Sequence, residues 1–145
     1  MTDQSTPSEL LASLLLGDDD RSRTAGNDIT KRGLWDNEIR LALSWRALPR
    51  LRSRIGSLEI PLMSDERKTL SDLSAATSAQ SALICQSTAR AQSAVEEAGI
   101  RVAAFKGLGM IASLYSRPSE RMLSDADVLI DARDFRAAIP ILARM

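Results

Sequence analysis

The first apolar pattern of the chain follows a helix-capping signature. Thr6, Pro7 and Glu9 supply a capping hydroxyl, a proline at the first helical position and a glutamate three residues after the cap. Leucines then recur at positions 10, 11, 14 and 15, and Gly17 ends the pattern. This predicts a short amphipathic helix. The three adjacent acids at positions 18–20 would point in different directions, so we expect a solvated loop there and no metal cluster.

A second apolar stripe begins at Leu34 and recurs at spacings of three and four as far as Ile55. It predicts a helical region with one buried face, in which Pro49 causes a kink or a new helix start. The arginines of this region lie largely off the stripe. They are compatible with a solvated face or with an RNA or phosphate patch, and the solvated face is favoured because no aromatic stacking residues alternate with them. They are Arg40, Arg46, Arg50, Arg52 and Arg54.

A long helix is predicted to begin at Ser64, where Asp65 and Glu66 suit the positive end of the helix dipole. Gly99 is expected to stop it. Small and apolar residues recur along one side of this stretch and predict its inner face. They are Leu70, Leu73, Ala76, Leu83, Ile84, Ala91, Ala94, Val95 and Ala98.

The pattern changes after Gly99 to short apolar runs. Residues 100–105 and 126–130 predict two buried strands, and residues 108–115 predict a helix to which Pro118 cannot belong. A last helix is predicted over residues 131–145, with Asp131 as a cap, and Pro140 predicts a kink or a later helix start. The fold class is therefore α+β, mainly helical. We expect a short helix and polar linker over residues 1–33, a helical region over 34–99, and a sheet-containing part over 100–145.

Composition narrows the chemistry of this chain. Lys and Arg equal Asp and Glu at 19 each, so no overall positive charge would attract nucleic acid or an anionic membrane. There is no histidine, which excludes His-dependent triads and imidazole metal sites. Cys85 is the single cysteine and has no disulfide partner. The apolar run at residues 10–16 is too short to span a bilayer, and we expect a cytoplasmic protein.

Asp125 and Asp127 are the strongest candidates for chemistry. Residues two apart in a strand point to the same face, so these two would present their carboxylates side by side at the start of the second strand. Two carboxylates, with water and substrate phosphate at the remaining positions, are a usual way to hold Mg²⁺. The motif alone serves several enzyme classes. In haloacid-dehalogenase-like phosphatases and many glycosyltransferases the apolar strand precedes the acids, whereas here residues 128–130 follow them.

These elements together resemble the uncharacterised nucleotidyltransferase family of the DNA polymerase β superfamily. That family has a strand ending in Lys-Gly, a helix reaching a Tyr, an Arg, and Asp-x-Asp followed by apolar residues. In this chain the matching positions are Phe105-Lys106-Gly107, Tyr115, Arg121, Asp125-Ala126-Asp127 and Val128-Leu129-Ile130. Ser124 stands where the family usually has glycine. The resemblance covers roughly residue 34 to the end, and residues 100–145 would begin the nucleotidyltransferase core.

The resemblance implies Mg²⁺-dependent transfer of a nucleoside monophosphate from an NTP to an acceptor hydroxyl, with Asp125 and Asp127 holding the metal. Lys106 would balance triphosphate charge. Gly107 either lets the backbone approach a phosphate or serves only the turn. Arg121 either binds phosphate or pairs with Asp125, and Tyr115 suits packing. A protein or small-molecule acceptor is favoured over polymeric nucleic acid.

Superfamily enzymes generally take a third carboxylate from a later strand, and this chain supplies no obvious one. Asp131 and Asp134 follow the second strand too closely to come from another strand. Two strands are also few for the usual mixed sheet. We therefore expect a chain that ends before the site is complete. The alternative is a helical protein-interaction module with a vestigial site. Which NTP is used and what accepts the nucleotide stay open.

Overall fold

The computed structural model describes residues 5–114, with only the backbone of Ala112, and residues 120–144. The predictions for Tyr115 and Pro118 therefore lie outside the described residues. Within the described part the chain forms seven α-helices and two β-strands: α1 Pro7–Leu16, α2 Asp19–Arg32, α3 Trp35–Ser44, α4 Leu48–Ser57, α5 Ser64–Glu97, β1 Val102–Phe105, α6 Lys106–Leu114, β2 Asp127–Ile130 and α7 Phe135–Leu142. The α+β, mainly helical class is confirmed.

Two compact units divide the chain, Met1–Ala76 and Thr77–Met145. The boundary falls inside α5, so one helix contributes to both units. The three segments predicted from the sequence stay a prediction. No helix in the described ranges combines the length and apolar composition that crossing a bilayer requires.

The first unit is helical, and its core is formed by the stripes that the sequence pattern predicted. Thr6 caps α1 in a capping box with Glu9, as expected. Pro49 lies in the first turn of α4 and marks a new helix start, where a missing N–H costs nothing. The largest fully buried apolar side chains here are Leu11, Leu14, Ile29, Trp35, Ile39, Leu48 and Leu51.

The solvated loop predicted for the three acids is wrong. Asp18 caps α2 by accepting a hydrogen bond from the Arg21 N–H at 2.9 Å, and Asp19 and Asp20 lie in the first turn. Carboxylates are stabilised there by the helix dipole, which is why a run of acids can begin a helix. Gly33, with φ of 63°, ends α2 in the left-handed conformation that glycine adopts without strain.

Two of the arginines assigned to a solvated face instead close the C-terminal end of α1. Arg54 Nη2 donates to the Gly17 carbonyl at 3.1 Å and its Nε to the Leu14 carbonyl at 3.3 Å. Arg50 Nε donates to the Leu15 carbonyl at 2.8 Å. The last carbonyls of a helix have no partner within it, so these guanidinium groups satisfy acceptors that the α1 backbone leaves open.

The second unit holds the remainder of α5 with β1, α6, β2 and α7. β1 and β2 pair antiparallel, with Val102 opposite Ile130 and Phe105 opposite Asp127. Val95, Ile100 and Ala138 form its buried cluster, and Val102, Ile130 and Ile141 pack against them. Both predicted strands are present, each starting one or two residues later than expected, but the prediction that they are buried is wrong, because every residue in them is partly or fully exposed.

Two details of the second unit differ from the sequence pattern. Leu83 was predicted on the inner face of α5, but 64% of its side chain is exposed. The last helix begins at Phe135, later than predicted, but Pro140 lies inside it and does not mark its start. Asp131 does not cap that helix. It caps the turn before it, where the Arg133 N–H donates to its carboxylate at 3.1 Å.

Candidate metal and nucleotide site

The junction between β1 and α6 lies beside the start of β2. β1 ends at Phe105 and α6 begins at the next residue, Lys106, while Phe105 pairs with Asp127 across the sheet. This register brings Lys106 Nζ to 3.3 Å from Asp127 Oδ2. The same Nζ lies 5.9 Å from the centre of the Phe105 ring. Two residues that the sequence placed in one site, 21 positions apart in numbering, are therefore in contact.

Lys106 holds an uncommon backbone conformation at this junction. Its φ is 46°, in the left-handed region that residues with a Cβ rarely adopt. The strand turns into the helix at this one residue, without an intervening loop. Such conformations occur where the surrounding structure over-determines them and cluster at functional sites.

The two aspartates differ in their surroundings. Asp127 is the first residue of β2, and 39% of its side chain is exposed. It faces the same side of the sheet as Leu129 and Phe105, which are 52% and 44% exposed. Asp125 precedes the strand, is exposed, and its Oδ1 lies 3.0 Å from Ser124 Oγ. Both carboxylates are thus accessible to a ligand from solvent.

Gly107 packs closely against the segment that precedes the aspartates. A Cβ on this glycine would lie 3.0 Å from Leu123 Cδ2 and 3.7 Å from Arg121 Nε. The Arg121 side chain therefore lies next to the first turn of α6, and the absence of a side chain at Gly107 is what lets Leu123 approach. This packing against Leu123 is a reason for the glycine that the sequence did not offer, beside the turn and the phosphate. Its use by a phosphate stays a prediction, as does the choice between phosphate and Asp125 for Arg121.

Ser81 joins α5 to this same segment and was not singled out from the sequence. Its side chain is only 1% exposed. Its Oγ accepts a hydrogen bond from the Leu123 N–H at 3.0 Å and donates one to the Arg121 carbonyl at 3.3 Å. No local signal marks it among the many serines and alanines of α5, because the partners lie 40 and 42 residues away.

The donor set suits Mg²⁺ as far as the described residues reach. Carboxylate oxygens are the hard ligands this ion prefers, and accessible carboxylates leave room for its waters and for phosphate. Over residues 5–114 and 120–144, no group of three or more His, Cys, Asp or Glu is placed to hold a metal. Asp131 and Asp134 pair instead with Arg133, at 3.2 and 3.9 Å. That Asp125 and Asp127 hold the ion as a pair stays a prediction.

Comparison with known proteins gives one match. A family model described as uncharacterised nucleotidyltransferase matches residues 32–145. Searches of curated proteins and of solved structures found no match. The matched range includes the Lys-Gly junction, Arg121 and the aspartate pair. The chain therefore belongs to the uncharacterised nucleotidyltransferase family.

Proposed function

We propose that this chain transfers a nucleoside monophosphate from an NTP to an acceptor hydroxyl, and that Asp125 and Asp127 hold the Mg²⁺ on which the transfer depends. Membership of the family supports nucleotidyl transfer in general. The observation that carries the finer proposal is the contact between Lys106 Nζ and Asp127 Oδ2 at 3.3 Å, because it places a mobile cation beside an accessible carboxylate.

In the proposed reaction, the acceptor oxygen forms a bond to the α-phosphorus, and the bond from that phosphorus to the bridging oxygen of pyrophosphate breaks. The acceptor proton leaves to solvent or to a nearby base. Bound Mg²⁺ would supply charge neutralisation on the phosphate oxygens. Asp125 and Asp127 have the residue type and exposure to hold it.

The cationic side chains would act on the triphosphate. Lys106 is 64% exposed and sits on a flexible stem, so its ammonium can leave Asp127 and approach a phosphate when a metal occupies the carboxylate. Arg121 lies beside Gly107 at the first turn of α6, where free N–H groups and the helix dipole favour anions. The contact of Lys106 with Asp127 suits a ligand that carries both a metal ion and a phosphate chain.

A labelling experiment tests the proposal. The 145-residue chain is incubated with Mg²⁺ and each of the four α-labelled NTPs in cell extract, which supplies candidate protein and small-molecule acceptors. We expect label from the α position on an acceptor and none from a γ-labelled NTP, since γ-transfer would indicate a kinase. Asp125→Asn and Asp127→Asn keep the side-chain shape and should lower transfer by at least about 100-fold.

Asp134→Asn is the matched control, because it removes a carboxylate of the same unit that is paired with Arg133. It should leave transfer within about twofold of wild type, as expected for a charge outside the site. Transfer that persists in Asp127→Asn would contradict the assignment of the metal site. Absence of transfer with all four NTPs would overturn the proposal and favour the alternative of a helical interaction module.

A further inference from the structure

The segment that leads into the aspartate pair depends on contacts from elsewhere in the fold. Residues 121–126 lie outside the helices and strands, so their backbone groups are not satisfied by a regular ladder. Leu123 in this segment is nevertheless buried, at 6% exposure. A buried N–H requires a partner, and the partner of the Leu123 N–H is the Ser81 hydroxyl at 3.0 Å.

The Ser81 hydroxyl uses both of its hydrogen-bonding functions on one short stretch of backbone. It accepts from Leu123 and donates to the carbonyl of Arg121, two residues earlier. The other side of Leu123 packs on Gly107, where even a Cβ would approach to 3.0 Å. The Ser81 hydroxyl on α5 and Gly107 in the first turn of α6 thus both help to hold the segment.

We propose that Ser81 is a positioning residue of the nucleotidyltransferase site, a role that rests on the function proposed above. Asp125 follows Leu123 by two residues, which span at most about 7 Å of extended chain. A displacement of Leu123 therefore reaches the carboxylate with little slack to absorb it. The same hydroxyl fixes the backbone of Arg121, whose side chain lies beside Gly107. Ser81 would set where both a metal ligand and a phosphate-binding group stand.

Substitution of Ser81 separates this role from simple packing. Ser81→Ala fills nearly the same volume but leaves the Leu123 N–H buried without its partner. Ser81→Thr keeps the hydroxyl, and Ser81→Cys replaces it with a weak donor and acceptor. Ser93→Ala is the matched control, because Ser93 is an exposed serine on the same helix.

The readouts are amide hydrogen exchange at Leu123 and the Kd of Mn²⁺, measured by electron paramagnetic resonance in the presence of inorganic triphosphate. In Ser81→Ala we expect faster exchange at Leu123, unchanged protection of the β1–β2 ladder, and a Kd raised by about tenfold. Ser81→Thr should return the Kd to within about threefold of wild type, and Ser93→Ala should match wild type.

The contrary results separate failure of the positioning role from failure of the proposed function. Wild-type affinity for Mn²⁺ in Ser81→Ala, with faster exchange at Leu123, would overturn the positioning role and leave the proposed function standing. Absence of Mn²⁺ binding by the wild-type chain would overturn both. If Ser81→Ala loses protection throughout the second unit, the comparison of Ser81→Thr with Ser81→Cys decides. Tighter Mn²⁺ binding by Ser81→Thr than by Ser81→Cys supports the positioning role, and equal binding by the two variants overturns it.

Discussion

A carboxylate inside the helical first unit gives this protein a testable pH dependence. Glu38 lies on the buried face of α3 with Trp35, Ile39 and Ala42, and its side chain is 0% exposed. Within the described residues neither of its carboxylate oxygens has a hydrogen-bond partner. Burial raises the pKa of Glu38 from 4.5 to about 7, against the opposing charge of Arg32.

The direction of the pH dependence follows from whether the folded or the unfolded protein loses the Glu38 proton first. The unfolded chain loses the Glu38 proton near pH 4.5, whereas the folded protein keeps it until about pH 7. Between these values the unfolded state binds fewer protons, so the free energy of unfolding falls as pH rises. An interval of about 2.5 pH units, at about 1.4 kcal/mol per unit, lowers that free energy by about 3 kcal/mol. The stabilisation is complete below pH 4.5 and lost above pH 7.

The substitution Glu38→Gln removes the titrating carboxyl group and keeps the shape of the side chain. Urea unfolding is followed from pH 5 to pH 8 by tryptophan fluorescence, which reports the first unit because Trp35 and Trp45 both belong to it. We expect wild type to lose most of the about 3 kcal/mol over this range and Glu38→Gln to lose none of it. At pH 8 the variant should be the more stable protein.

Asp36→Asn is the control, since Asp36 is an exposed carboxylate on the same helix. Its profile should run parallel to that of wild type. The hydrogen bond from the Thr6 N–H lowers the pKa of Glu9, the opposite direction to the shift of Glu38. Parallel profiles for wild type and Glu38→Gln between pH 5 and pH 8 would refute the argument that burial holds this carboxyl protonated.

Two further predictions concern stability. Arg54→Ala should lower the free energy of unfolding by about 2–4 kcal/mol, because the end of α1 loses a partly buried charged donor, whereas exposed Arg52→Ala should change it by less than about 0.5 kcal/mol. Equal effects in urea unfolding would contradict the capping role. Gly109→Ala places a Cβ 2.9 Å from the Ala104 carbonyl oxygen and should cost about 1–3 kcal/mol. Gly56→Ala, at a helical position with open space, should instead raise the free energy of unfolding by about 0.5–1 kcal/mol. Thermal melts followed by circular dichroism measure both glycine variants.

Much of the fold could be predicted because its signals are local. The capping box at Thr6, the restart at Pro49 and the short apolar runs of both strands each lie within a few residues of the structure they produce. The errors have local causes too. A run of acids indicates a solvated loop and a helix N-terminus equally well, and only the cap of Asp18 on the Arg21 N–H decides between them.

Other features could not be predicted because their partners are distant in sequence. Arg50 and Arg54 lie off the apolar stripe, as solvated residues do, and their acceptors on α1 are 35 to 40 positions earlier. Ser81 resembles the other serines of α5 until its contacts with residues 121 and 123 are known. The burial of Glu38 has one signal in the sequence. It stands three residues after Trp35 and four before Ala42, at a position of the buried stripe.

The contact between Lys106 and Asp127 is a consequence of strand register, and the register is set by packing away from the site. Val102 and Ile130 pair across the sheet and pack together on the cluster of Val95 and its neighbours. A slip of one residue in β2 would turn Ile130 out of that cluster and Asp127 into it, which is disfavoured because burying an unpaired carboxylate costs free energy. The apolar side of a two-stranded sheet therefore decides that the residue after Phe105 stands beside the aspartate. The motif supplies the charged groups, and the core of the second unit brings them together.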